Sequence, residues 1–367
     1  VTTDRLDLHA ALQDPPVRDA LGGRPIDLAD LDVIRLILRG NSVIDWHRAH
    51  FPDRAAVDRF FSLHLVDMAD PEDVRRVRYV HRQAVNYLHE HLGLSFPDDL
   101  AHPVDVRDVF VAASWTGGFR RKQILACVIL KLMHVIHHME AAELRFQTPL
   151  SEADVLDLAE RRIRLAAERM RESGFPLVAF YGSRKTRNSV ITKLLAKKEN
   201  TAVTIFDKLR FRIVTRERAH VVPALAWLTR HVFPFNFVIP GQSHNSLLHL
   251  GALLAEPPFA ALREGLQSLT DDDVELPPED NPFSGGSYRM INFIVDFPVR
   301  VDHLVPMRHG ALLGRTVLAL VEFQVVDAAT AEANEQGENA HDLYKERQRA
   351  IVERRLKRGR RRAGPGA

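Results

Sequence analysis

The chain has 367 residues, 46% of them hydrophobic and 27% charged, with a formal net charge of +2. That length accommodates two or three domains with proper cores, and the charge is too small to imply a nucleic-acid partner by itself. No apolar run approaches the roughly 18–20 residues of a membrane span, no basic-then-apolar signal opens the sequence, and the single cysteine, Cys127, excludes an internal disulfide; the expectation is a cytoplasmic protein with no membrane partner.

The first 150 residues read as a helical domain, with helices at Asp53–Leu65, Pro71–Leu92 and Lys122–Glu143 separated by Gly and Pro. The third carries His134, His137, His138 and Glu140. His134 and His138, at i and i+4, could share a metal, but with no third ligand in view they read as partly buried structural histidines. Leu150–Ser173 is an amphipathic lead-in helix. Ser151 and Asp154 form its capping box, Ala159, Ile163, Ala166 and Met170 its apolar stripe, and Gly174 its stop.

After Gly174 strands and helices alternate. Leu177–Tyr181, Val203–Phe206, Phe211–Val214, Ile291–Phe297 and Val317–Val326 read as strands. Asn188–Lys198, Arg218–Val232 and the long charged Ala328–Lys357 read as helices. Two loop-rich insertions, 235–246 and 270–286, interrupt them. The fold class expected is α+β, the helical domain being followed by a mixed-sheet domain over 151–357 and a basic tail at 358–367. That tail continues a run from Arg354 to Arg362. It reads as a solvated end, or alternatively as an electrostatic contact with RNA or the ribosome.

Four segments carry chemistry. Arg184, Lys185 and Ser189 lie in a basic turn between a strand and a helix start, where amides and the helix dipole favour phosphate, and Lys193 extends the positive face. The turn lacks the Walker A pattern. Asp207 ends a strand, and Arg210 and Arg212 share one face of the next, a pairing that suits a metal-bridged polyphosphate. Tyr288, on the glycine-rich turn 284–289, can lie flat against a base. In Val317–Val326, alternation sends Glu322 and Gln324 to one side and Val321, Phe323 and Val325 to the other.

In this order the segments resemble the RelA/SpoT-type (p)ppGpp synthetase domain. The resemblance covers about residues 175–350 and rests on Gly182, Lys185 and Asn188-Ser189-Val190; Asp207 five residues before Arg212; the Tyr288 turn with Asn292; Glu322 and Gln324; and Asn334-Glu335, Gly337, Ala340-His341 and Tyr344-Lys345. It implies a nucleotidyltransferase-like sheet flanked by helices. It further implies transfer of the ATP β,γ-pyrophosphate to the ribose 3′-hydroxyl of GDP or GTP. By the same resemblance, Asp207 and Glu322 would hold Mg²⁺, and Glu322 could take the 3′-hydroxyl proton. Lys185, Arg184 and Arg212 would neutralise charge, Ser189 would bind phosphate, Tyr288 would stack on guanine, and Gln324 and Lys345 would position the acceptor.

Three positions depart from the pattern. Ser183 stands where the family has arginine, with Arg184 one step late. Arg210 replaces a glycine, and Asn292 a histidine. Two other readings stay open: the same donor chemistry on another purine nucleotide or a tRNA 3′ end, and an inactive nucleotide- or RNA-binding module. No His-Asp hydrolase motif occurs in residues 1–174, and an oligomer is compatible with the sequence.

Overall fold

In the computed structural model, residues 8–39, 50–114, 120–196, 208–248, 288–304, 313–335, 349–354 and 356 are described. Helices α1 (Leu8–Gln13), α2 (Pro15–Ala20), α3 (Leu28–Arg39), α4 (Arg54–Leu63), α5 (Pro71–Leu92), α6 (Asp98–Ala101), α7 (Arg107–Ala113), α8 (Arg121–Gln147) and α9 (Glu152–Glu172) come first. Strand β1 (Leu177–Arg184), α10 (Arg187–Ala196), β2 (Leu209–Thr215), α11 (Val221–His231), β3 (His244–Asn245), β4 (Ile291–Arg300), β5 (Thr316–Asp327) and α12 (Ala328–Glu335) follow.

Local chemistry sets the ends of the long helices. Asp70 caps α5 by accepting from the Glu72 amide, Pro71 takes the first helical position, and Gly93 ends the helix at φ 65°. In α9 the expected box forms: the Asp154 amide donates to Ser151 Oγ at 3.1 Å and the Ser151 amide to Asp154 Oδ2 at 3.1 Å. Its stripe of Ala159, Ile163, Ala166 and Met170 is buried.

Helix α8 corrects one expectation. Among the described residues it is the one helix long and apolar enough to cross a membrane by length and composition. Lys131 and three histidines break its apolar run, so a search for uninterrupted apolar residues passes over it. Ala126, Ile129, Leu130, Met133, Ala141 and Leu144 are buried in the protein.

The described strands form one mixed sheet of five, in the order β1-β2-β5-β4-β3. Strands β2 and β5 run parallel, and the other neighbours antiparallel. The sheet thus joins a helix-rich first half to give a mixed α+β protein. The strand expected at Val203–Phe206, the 270–286 insertion and the segment 336–348 of the expected long helix lie outside the described residues. The short strand β3, inside the stretch read as an insertion, was not foreseen; two residues carry no periodicity.

Two hydrophobic cores form, and they do not follow the sequence boundary at residue 150. One is built from α4, α5, α7 and α8, with Val57, Ala84, Val109, Ala126 and Ile129 fully buried. The other joins α1–α3, α9 and α11 to one face of the sheet. On that face Phe211, Phe323 and Phe293 stack in a row, with ring centroids 6.1 and 5.7 Å apart. Gly182 pairs with Phe211 across β1 and β2, and a Cβ there would stand 2.7 Å from the Phe211 ring. Gly182 is therefore needed for packing and lies within β1, three residues before its loop.

Candidate functional site

Because side chains alternate along a strand, the residues opposite the phenylalanine row share the other face. Registration aligns Tyr181, Arg212, Gln324, Asn292 and His244 across all five strands. The adjoining row on the same face holds Ser183, Arg210, Glu322 and Ile294. Residues from distant parts of the chain thus make one polar patch, and its centre is Glu322.

The Glu322 side chain is only 4% exposed, and both of its oxygens accept hydrogen bonds. Arg210 Nε donates to Oε2 at 2.6 Å. Asn292 Nδ2 donates to Oε1 at 2.6 Å, and Gln324 Nε2 donates to the same oxygen at 3.0 Å. Three donors, one of them cationic, make a buried carboxylate tolerable. They also fix the amide orientations of Asn292 and Gln324, since a reversed amide would set oxygen against oxygen.

Arg212 lies beside this cluster. Its Nη1 donates to Glu335 Oε1 at 3.3 Å and its Nη2 to the Tyr288 hydroxyl at 3.5 Å. Its Nε is buried without a partner among the described residues. Burial alone would lower the Arg212 pKa, but Tyr288, Tyr181 and Glu335 override it and hold the guanidinium above its ordinary value. The Tyr288 segment is itself pinned by the buried Asn334, which accepts from the Arg289 amide at 3.0 Å and donates to the Arg289 carbonyl at 2.7 Å. Asn334, read from the sequence only as part of a helical motif, thus holds the residue next to Tyr288.

The sequence-derived set divides. Glu322, Gln324, Arg212, Asn292 and Tyr288 come together on the polar face. Lys185 follows β1, its amide bonded to the Lys208 carbonyl at 3.0 Å. Ser189 lies in the first turn of α10, its hydroxyl 3.0 Å from Thr186 Oγ1, and Lys193 lies further along that helix. Asp207 and Lys345 lie outside the described residues.

Arg184 does not join Glu322 and Arg212 on the polar face. Strand β1 runs three residues past Tyr181, so Arg184 falls on the phenylalanine side. There it binds Asp157 at 2.5 Å and Glu160 at 2.6 Å, both on α9. The arginine one step late in the motif thus lies on the face opposite Arg212. Arg210, read from the sequence as sharing one face with Arg212, joins the site through Glu322; Tyr181, exposed on an edge strand, gave no signal in the sequence.

Mg²⁺ takes near-octahedral oxygen ligands at about 2.0–2.1 Å. Around Glu322, a guanidinium N–H and two amide N–H groups point at the oxygens such an ion would need. Two unit charges 4 Å apart at an effective dielectric near 20 interact by about 4 kcal/mol, and a divalent ion beside Arg210 would be repelled about twice as strongly. As arranged, Glu322 does not fit the metal role expected of it.

The histidines assemble elsewhere. His134 and His138 lie 4.3 Å apart between ring centroids, with Asn236 3.1 Å from His134 and Asp296 3.5 Å from His138. Among the described residues no group of three or more metal-ligating side chains forms. Burial pushes His64 down to about 4 and His134 to about 3, and holds His137 well below the ordinary imidazole value. A cavity of about 130 Å³ beside them is lined by apolar side chains such as Phe60, Val77, Val80 and Leu130 and by charged ones that include Asp73, Arg76, Lys131, Arg300 and Arg315.

No protein-family model matches the sequence, and no curated protein matches it. Among solved structures it is similar to a GTP pyrophosphokinase family protein from Streptococcus pneumoniae, with 11% identity over 57% of this chain and 86% of that one, at a TM-score of 0.30. It is similar to small alarmone synthetase 1 from Bacillus subtilis at 14% identity, 56% and 87% coverage and a TM-score of 0.25. For small alarmone synthetase 2 from Bacillus subtilis the values are 14%, 61% and 97%, and 0.26. Likenesses this distant define neither a substrate nor an activity.

Proposed function

We propose that the polar sheet face binds purine nucleoside polyphosphates and transfers a pyrophosphoryl group from ATP to the 3′-hydroxyl of GDP or GTP. The observation that carries this reading is the convergence of Arg212, Glu322, Gln324, Asn292 and Tyr288, from three strands and one turn, in the order that the motif resemblance requires. In this reaction the 3′-oxygen attacks the β-phosphorus and the bond to the α,β-bridging oxygen breaks, so that AMP leaves. The 3′-hydroxyl proton passes to Glu322. Arg212 lies where charge spreads over the transferred group, and Tyr288 supplies the aromatic face for the acceptor base. No step is drawn through Mg²⁺, because the Arg210 guanidinium stands against the carboxylate that would hold it.

One observation favours a second reading, nucleotide binding without transfer. Both oxygens of Glu322 already accept from Arg210, Asn292 and Gln324, which leaves little room for a substrate hydroxyl. Incubation of the pure protein with γ-labelled ATP and, separately, GDP, GTP, ATP or tRNA tests both. Label on guanosine nucleotides is the expected result, and label on tRNA redirects the acceptor. No label with ATP binding intact establishes the binding module. Glu322→Gln is expected to abolish transfer and leave ATP binding nearly unchanged; undiminished turnover removes Glu322 from the chemistry.

A further inference from the structure

We propose that the Arg210 guanidinium takes the place of a divalent cation at Glu322, so that nucleoside polyphosphate binds this face without metal. The inference rests on the nucleotide reading above and adds a mode of recognition to it.

A metal-bridged site needs a carboxylate with open lone pairs and no competing cation. Here the opposite is built in. Glu322 is buried, accepts from Arg210 through one oxygen, and accepts from Asn292 and Gln324 through the other. A carboxylate offers about four acceptor positions, and three are taken. Asn292 and Gln324 lie in one cross-strand row and converge on a single oxygen, so the donors form a set and not a chance contact. Arg210 stands at the position where the resemblance expects glycine, the residue that would leave room for an ion.

Arg210 is also reachable. Its side chain is 34% exposed while Glu322 is 4% exposed. A ligand arriving at the face therefore meets the guanidinium first and the carboxylate only behind it. Arg212, one row away on the same strand face, adds a second guanidinium. Alternate residues of one strand have Cα atoms about 6.5–7 Å apart, so two long arginine side chains there can reach phosphates of one polyphosphate chain through planar N–H forks. Glu322 then acts as the anchor that orients Arg210, as a buried carboxylate orients a cation, and leaves none of its own charge for a metal.

The test is ATP binding by calorimetry to the full chain, once with Mg²⁺ and once with EDTA, together with Mn²⁺ binding by electron paramagnetic resonance. Wild type is expected to bind ATP in both buffers within about threefold, and to show no Mn²⁺ site that Glu322→Gln abolishes. Arg210→Gly is expected to lose about 10- to 100-fold of its affinity in EDTA, the range for a hydrogen bond to a charged group, and to gain a Mn²⁺ site. ATP binding that vanishes in EDTA, or a Glu322-dependent Mn²⁺ site in wild type, overturns the inference and leaves the nucleotide reading standing. Absence of ATP binding in both buffers overturns both. The wild-type arms decide the matter even if Arg210→Gly does not fold, and Arg210→Gln is the milder replacement.

Discussion

Two carboxylate–guanidinium pairs in this protein share one chemistry and differ in where the guanidinium can go. Asp30 on α3 and Arg230 on α11 are both buried, at 7% and 11% exposure. Arg230 also donates to the carbonyls of Leu21, Arg24 and Pro25 at 3.0–3.3 Å. Burial alone would raise the Asp30 carboxyl, but hydrogen bonds and charge from Arg230 win and hold it below its usual value. In the Glu322–Arg210 pair the acid is equally buried while the guanidinium has a third of its surface in solvent. The first pair fastens a helix to a helix. The second leaves its cation partly in solvent in front of a buried acid.

The largest expected effect breaks the first pair. Asp30→Ala leaves the Arg230 charge without its carboxylate and held only by backbone carbonyls, a loss of about 3–5 kcal/mol, measured as a lower urea midpoint. Glu322→Gln is expected to cost about 1 kcal/mol or less, because Arg210 can turn to water. Equal losses from the two variants would remove the distinction between a structural and an exchangeable pair.

Acid sharpens the same contrast at the junction of α4 and α8. His64 and His134 have native values of about 4 and about 3 against an ordinary 6.5. Both values are depressed, so their contribution is complete above pH 6.5 and is lost as pH falls from 6.5 toward 4, where the unfolded chain takes up protons that the folded chain refuses. The slope is about 1.4 kcal/mol per pH unit for each histidine at most. Thermal unfolding across this window is expected to shift steeply to lower temperature, and His134→Gln to flatten the shift. A flat profile would mean that these imidazoles reach water.

Gly182→Ala comes next. Its Cβ would meet Phe211 at 2.7 Å in a ring row already hemmed by Phe180 and Phe323. The expected loss is about 1–3 kcal/mol, against under about 0.5 kcal/mol for Ser183→Ala on the exposed polar side.

Much of this was legible in residue order. The alternation of Val321, Phe323 and Val325 with Glu322 and Gln324 gave β5 its two faces, and all three apolar residues are fully buried. The capping box and stripe of α9 were equally plain, since both are local patterns. What alternation could not give was the burial of Glu322 and Gln324, which depends on donors from β2 and β4 far along the chain. Nor could it give the cores: α3 joins the sheet through contacts with α11 and β3, which no local pattern records. Strand ends were the weakest reading, because nothing in Gly182-Ser183-Arg184 marks where pairing with β2 stops.

That uncertain end yields the smallest and most discriminating prediction. If β1 runs through Arg184, its side chain belongs to α9 and not to the nucleotide face. Arg184→Ala then removes a partly exposed ion pair with Asp157 and Glu160, costing under about 1 kcal/mol, and changes ATP affinity less than about twofold. Arg212→Ala, on the polar side, removes a guanidinium held beside Tyr288 and is expected to weaken ATP by about 10- to 100-fold. Calorimetry on the two variants reads the strand register through function. A large loss from Arg184→Ala would mean that the chain turns one residue earlier than Arg184↔Leu209 pairing implies, and would return this arginine to the phosphates.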